Sequence, residues 1–283
     1  MFNSKQIDEI IKKLSRKAGM YEGLFINYVS KNILKTKCLT LNEITKLLRD
    51  SSLYGTKFIM SAATARAGGE QAGYGKIICE AIDRASANIQ FENLINKKDV
   101  HNRVYSKFLE ICREQSKKPN EKINKKLIID FLTCAQNCNS NLFLWLEEHI
   151  KDSGVESTYL ELLKIHGVGK KLASFILRDT VWLLNLEKAI PPQDLIYLQP
   201  IDTWVKRISF ELWEDFHTFK WEVFKNKIDE LIIAKRIVEN CIRLGVSGIE
   251  FNQGAWYFGS NEVKDGNLLR KHMTNLISKV KLN

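Results

Sequence analysis

The sequence Leu162-Leu-Lys-Ile-His-Gly-Val-Gly-Lys-Lys-Leu-Ala-Ser-Phe-Ile-Leu177 contains two helical segments separated by a short glycine turn. The first segment is predicted to end at about Lys164, and the second to begin at Lys170. Small and apolar residues of the second segment recur with the spacing of a buried helical face, at Ala173, Ile176, Leu177, Thr180 and Leu184. The stretch therefore predicts helix, turn and helix over about residues 158–184.

The rest of the chain has the same helical character. Apolar residues recur at helical spacing near the start, at Ile7, Ile10, Ile11 and Leu14. Thr40 or Asn42 can cap a helix that begins near Leu41. Further helices are predicted over 99–117, 127–138, 142–150, 203–216 and 223–244. The sequence contains only four prolines and no extended alternating pattern, so it predicts an all-α protein.

Two segments stand out from this helical pattern. Residues 116–126 are charged, contain Pro119 and lack an apolar stripe, and they are therefore the best candidate for a linker. Residues 61–75 are rich in Ala and Gly. Small side chains of this kind are typical either of a tight helix crossing followed by a turn or of a close approach to a ligand, and both interpretations stay open.

Charge favours a polyanionic partner. The chain has 43 Lys and Arg against 33 Asp and Glu, a formal net charge of +10 and a sequence pI of about 9.2. Phosphates attract such a surface because their neutralisation releases condensed counterions. A lysine-rich protein without a nucleic-acid partner is the alternative interpretation.

Hydropathy and cysteine spacing narrow the class of protein. No segment approaches the roughly 20 apolar residues that span a bilayer, and the first residues lack the apolar stretch of a secretory signal. We therefore expect a cytoplasmic monomer without a membrane partner.

Of the six cysteines, only Cys134 and Cys138 lie close together, and their spacing is not that of a zinc site. We expect no disulfide, no metal and no cofactor.

The glycine turn is a candidate phosphate site. Gly167 and Gly169 allow the backbone to turn sharply and leave amide groups uncovered at the start of a helix, where anions bind. Gly167, Val168, Gly169 and Lys170 are the residues expected to contact a DNA backbone. A glycine turn alone is weak support, because many connections between helices contain glycine.

Two further features extend this motif. Lys171 is the second residue of the second helix, and the segment Pro200-Ile-Asp-Thr-Trp-Val-Lys-Arg207 follows downstream. With Gly167-Val-Gly-Lys-Lys171, these residues resemble the catalytic core of the helix-hairpin-helix DNA glycosylases, the superfamily of endonuclease III and the 8-oxoguanine glycosylases. The wide separation of Lys171 and Asp202 is similar to that in the archaeal 8-oxoguanine branch.

This resemblance covers about residues 158–210, with the aspartate segment at 200–210, and it implies a fold and an active site. The implied fold is all-α, one glycosylase unit over residues 1–283 in which two helical subdomains flank an active-site cleft. Lys171 would attack the sugar and form a Schiff base, and Asp202 would stabilise the positive charge of the transition state. The alternatives are a phosphate contact or solvation for Lys171 and a helix N-cap for Asp202.

The base must leave the duplex stack before it is cut, so a pocket with stacking surfaces is required. Phe175, one turn after Lys171, is a candidate for that surface, with core packing as the equal alternative. Trp256, in a segment similar to the end of the archaeal branch, and Gln71 are further candidates for contacts with the base.

Four functions follow from these residues. The first is a glycosylase and AP lyase that acts on an 8-oxoguanine-like base in duplex DNA. The second is a monofunctional glycosylase for another modified base, including a base of phage or foreign DNA. The third is a DNA-binding protein without catalysis, and the fourth is a helical bundle that binds other proteins. The pairing of Lys171 with Asp202 favours the glycosylases, because a protein that only binds DNA needs neither residue.

Overall fold

The computed structural model describes residues 2–36, 40–64 and 73–278, and within these ranges the chain forms helices and turns and no strand. The predicted all-α class is confirmed. The α-helices are α1 (Ser4–Arg16), α2 (Ala18–Val29), α3 (Leu41–Asp50), α4 (Ser52–Thr64), α5 (Gly73–Ser86), α6 (Phe91–Ile95), α7 (Val100–Glu114), α8 (Glu121–Asn137), α9 (Leu142–Lys164), α10 (Lys170–Leu183), α11 (Thr203–Leu212), α12 (Trp221–Lys227), α13 (Glu230–Leu244), α14 (Gly248–Tyr257) and α15 (Leu269–Ser278). None of these helices is both long and apolar enough to cross a bilayer.

The chain divides into two compact units. Met1–Leu24 and Glu187–Asn283 form the first, which we call the discontinuous unit, and Phe25–Leu186 form the second, the inserted unit. The segment 116–126, predicted as a linker, lies inside the inserted unit, and α8 begins within it at Glu121. The boundaries between the units therefore fall elsewhere, and one of them lies within α2.

The core of the discontinuous unit forms around α1. Ile10, Ile11 and Leu14, which belong to the apolar stripe that the sequence predicts, are buried against residues of α11, α13 and α14. A side chain at Gly254 of α14 would overlap the carbonyl oxygen of Leu14. Glycine at this position therefore allows the two helix backbones to touch, and this close crossing joins the two chain segments of the discontinuous unit.

The core of the inserted unit forms around α4. Phe58, Ile59 and Met60 of this helix are buried, and the Phe58 ring packs edge-to-face against Phe143 of α9, with 5.8 Å between ring centroids. Lys57 is also buried, and its ammonium donates to Asp83 of α5 at 2.9 Å and to the carbonyl oxygen of Ile33 at 2.8 Å. These partners offset the cost of burying the charge, so this lysine has a structural role.

Several helix ends differ from the predictions. Thr40 caps α3 by accepting a hydrogen bond from the Glu43 amide, which decides between the two predicted caps. The helix predicted over 223–244 is two helices, α12 and α13, because Asp229 leaves the helical conformation and caps α13. The helix predicted over 203–216 ends at Leu212, and α9 continues past the predicted end at residue 150, with a break at Gly154, where φ is 85°.

Candidate functional site

The glycine turn connects α9 to α10 at the predicted positions, since α9 ends at Lys164 and α10 begins at Lys170. The Val168 amide donates to the carbonyl oxygen of Ile165 at 3.1 Å and closes the turn. Gly167 has a φ of 85°, and a Cβ there would lie 3.0 Å from Ile123 of α8. Both the backbone conformation and the tight packing therefore favour glycine at this position.

The start of α10 has no side-chain cap. Gly169 occupies the N-cap position and has no side chain that could accept a hydrogen bond from the first amides of the helix. Other helices here are capped by a side chain, at Asn3, Thr40, Asn120, Asn141, Asp202, Asp229 and Ser247. A Cβ built on Gly169 has no atom within 4 Å, so the space beside this residue is open. Such a helix start can accept an anion.

Lys171 is half-buried in the first turn of α10. Among the residues that the structure describes, none forms an ion pair or a hydrogen bond with its ammonium group. Lys164, at the end of α9, instead pairs with Glu161 at 2.6 Å. The amine of Lys171 is thus available to a ligand, either as a nucleophile or as a phosphate contact.

Asp202 is the N-cap of α11. Its Oδ1 accepts a hydrogen bond from the Val205 amide at 2.8 Å, so the capping role that the sequence allows is confirmed. The side chain is half-buried and follows two buried residues, Pro200 and Ile201. Asn252 of α14 donates to the carbonyl oxygen of Pro200 at 3.2 Å and holds this segment in place. The backbone therefore fixes the direction of the carboxylate.

The three residues predicted to contact the base differ in their surroundings. Phe175 is half-buried, and the guanidinium carbon of Arg178 lies 4.6 Å from the centroid of its ring. Trp256 is half-buried and packs edge-to-face against Tyr21, with ring centroids 5.7 Å apart. Gln71 lies outside the described residues. Phe175 and Trp256 each pack against a residue of the same unit. Contact of either ring with a base stays a prediction.

A buried ion pair next to Phe175 was missed by sequence reasoning. Arg178 and Asp179 of α10 are only 1% and 2% exposed. The Nε of Arg178 donates to Asp179 Oδ1 at 2.9 Å, and the Nη2 atom lies 2.8 Å from the same oxygen. The apolar stripe predicted for α10 leaves both residues out, and the only available signal was two adjacent opposite charges among apolar residues. Removal of one partner from such a buried pair typically costs about 3–5 kcal/mol.

The two neighbouring cysteines lie at the end of α8. All cysteines within the described ranges are free, and Cys134 and Cys138 line an open cavity together with Asp130 and Trp145. A hydrogen bond with the thiol of Cys138 lowers the pKa of Cys134 and raises that of Cys138. In the part of the chain that the structure describes, no three His, Cys, Asp or Glu side chains are grouped so that they could hold a metal ion.

Comparisons of the chain with protein families, with curated proteins and with solved structures found no match. A functional assignment therefore depends on the chemistry of the glycine turn, of α10 and of the start of α11.

Proposed function

We propose that this protein is a DNA glycosylase that removes a damaged or modified base, of the 8-oxoguanine type by resemblance, and that also acts as an AP lyase. The observation that carries the proposal is the start of α10. There, a turn without a side-chain cap is followed by Lys170 and Lys171, and the amine of Lys171 has no carboxylate partner among the described residues. A phosphate on the turn would bring the adjacent sugar within the range of this lysine.

The chemistry requires a neutral amine and a nearby carboxylate. The Nζ of Lys171 forms a bond to C1′ of the sugar while the bond from C1′ to the base nitrogen breaks, and the base leaves with the electron pair and takes up a proton. Opening of the sugar ring at O4′ then gives a Schiff base between Nζ and C1′. Loss of a proton from C2′ expels the 3′ phosphate by β-elimination, and this step nicks the strand.

Asp202 stabilises the positive charge that develops on the sugar and relays protons to and from the attacking amine. Its hydrogen bond with the Val205 amide is compatible with this role, because the bond sets the direction of the carboxylate without removing its charge. Lys171 belongs to the inserted unit and Asp202 to the discontinuous unit.

DNA binding in this proposal is sequence-independent, because amides and lysines contact phosphates rather than base edges. Gly169→Leu is expected to weaken binding to every duplex about tenfold, equivalent to about 1.4 kcal/mol, because the new side chain fills open space at the start of α10, where the phosphate is proposed to bind. The protein should still fold, since no atom lies within 4 Å of a Cβ at this position. Fluorescence anisotropy with several unrelated duplexes measures the effect.

Gly19→Leu is the matched control for this substitution. Gly19 is exposed in α2 and also has no atom within 4 Å of a Cβ. Its replacement should leave the affinity for DNA unchanged. If Gly169→Leu bound all duplexes as tightly as Gly19→Leu, the turn would not be the phosphate site.

The direct test of the proposed function uses the wild-type protein and a set of duplexes that each carry one oxidised, deaminated, alkylated or hypermodified base. Mass spectrometry identifies the released base, and a gel detects nicking of a duplex with an abasic site. We expect release of at least one purine-type modified base together with nicking. Release without nicking would favour the monofunctional alternative. Binding without either reaction would contradict the enzyme and favour the non-catalytic alternative.

A further inference from the structure

Helix α8 lies directly against the glycine turn. A Cβ at Gly167 would lie 3.0 Å from Ile123 Cγ2 and 3.3 Å from Leu127 Cδ1. One turn further along, Asp130 Oδ2 accepts a hydrogen bond from the His166 amide at 2.8 Å. Ile123, Leu127 and Asp130 follow one another at intervals of about one helical turn and hold α8 beside the glycine turn.

Two lysines occupy the same side of α8. Lys122 and Lys126 lie eight and four residues before Asp130, and we call them the lysine row. Each directly precedes a residue that packs against Gly167, and both are exposed, whereas Asn124 and Ile128 are buried. Residues four apart on a helix share one face and are separated by about 6 Å along its axis. The lysine row thus borders the exposed turn on its solvent side.

Glu121 and Asp130 flank the lysine row along α8, but neither acid forms an ion pair with it. Neither ammonium group forms an ion pair within the described part of the chain. Lysines on other helices do pair along their own helix, as in Lys107 with Glu110, Lys151 with Glu147 and Lys225 with Glu222. Like charges four residues apart on a helix repel each other. An anionic partner would relieve that repulsion.

We propose that the lysine row contacts the DNA backbone and continues the phosphate-binding surface of Gly167–Lys170 along the same strand. This inference rests on the proposed function, since it assigns further contacts to the same substrate. A polyanion with regularly spaced phosphates suits a row of separate cations, whereas a small anion would require cations that converge on one point. The row touches no reacting atom, so its role is to bind and orient the duplex.

The test is the salt dependence of binding. Lys122→Gln combined with Lys126→Gln removes two charges and keeps the side-chain length. Each lost phosphate contact should lower the slope of log affinity against log salt by about 0.9, so the double variant should lose about 1.8. The affinity deficit relative to wild type should then be about 12-fold larger at 50 mM than at 200 mM salt. Fluorescence anisotropy with an unmodified duplex measures both slopes.

The matched control replaces Lys97 and Lys98 with Gln. These lysines are exposed in the turn between α6 and α7, and neither forms an ion pair with a described residue. The carbonyl oxygen of Ile95, two residues before Lys97, accepts a hydrogen bond from the side chain of Gln136. Gln136 lies at the other end of α8 from the lysine row. We expect the control to keep the wild-type slope, and both double variants to keep the wild-type thermal midpoint.

The outcomes separate this inference from the proposed function. If both double variants kept the wild-type slope, or if both lost the same amount of slope, the lysine row would not contact DNA. Either result would leave the glycosylase proposal intact. A wild-type protein whose binding did not respond to salt would contradict the proposed function itself. At saturating enzyme, the rate of base release by the lysine-row variant should equal that of wild type. A slower rate at saturation would place the row in the reaction rather than in binding.

Discussion

Asp202→Asn is expected to reduce single-turnover base release by about two orders of magnitude or more, while the free energy of unfolding changes by about 1 kcal/mol or less. The amide keeps the shape of the side chain, and its oxygen can still accept the hydrogen bond from the Val205 amide that the carboxylate accepts at 2.8 Å. What the substitution removes is the charge that offsets the developing cation on the sugar. Base release and thermal melting measured on the same preparation separate these two roles.

Asp229→Asn provides the matched control. Asp229 also caps a helix of the discontinuous unit, where its Oδ1 accepts a hydrogen bond from the Leu231 amide at 3.1 Å. We expect this variant to melt like Asp202→Asn and to release base like wild type. Near-normal base release by a folded Asp202→Asn protein would show that the residue acts only as a cap.

Lys171→Gln is expected to abolish covalent trapping of the protein on cleaved DNA by borohydride, because only an amine can form the Schiff base that borohydride reduces. Binding to an unmodified duplex should stay close to wild type, since the amides of the glycine turn are unchanged. Denaturing gels detect the trapped complex, and anisotropy measures the affinity for DNA.

Lys170→Gln is the control for Lys171→Gln, since the two residues are neighbours at the start of α10 and Lys170 is the more exposed. The proposal predicts a weaker affinity for DNA and normal trapping at saturating protein for Lys170→Gln. Trapping that survived in Lys171→Gln would assign the nucleophile to another amine. A wild-type protein that released base and never trapped would support the monofunctional alternative.

The sequence predicted the all-α class and the bounds of the glycine turn because helical periodicity and glycine placement are local properties. The N-cap roles of Thr40 and Asp202 were accessible for the same reason. The burial of Arg178 and Asp179 could not be predicted, because an apolar stripe along a helix places charged residues on the exposed side. Ion pairing inside a core depends on the surrounding helices.

The positions at which the chain passes from one unit to the other were also out of reach of the sequence. The composition of residues 116–126 suggested a boundary, yet those residues form a charged surface and the beginning of α8. One true boundary lies between Leu24 and Phe25, inside the continuous helix α2, and has no compositional signal. The roles of Lys171, Asp202, Phe175 and Trp256 stay predictions, because reactivity depends on a bound nucleotide.

The discontinuous unit also constrains the order of events during protein synthesis. Helix α1 leaves the ribosome before its partners α11, α13 and α14, which follow the inserted unit in the chain. At roughly 5–20 residues per second, translation from α1 to α14 takes on the order of tens of seconds. The inserted unit can fold in that interval. The apolar face of Ile10, Ile11 and Leu14 stays uncovered until α11, α13 and α14 have been synthesised. A nascent chain halted before α11 should therefore expose an apolar helix that chaperones bind.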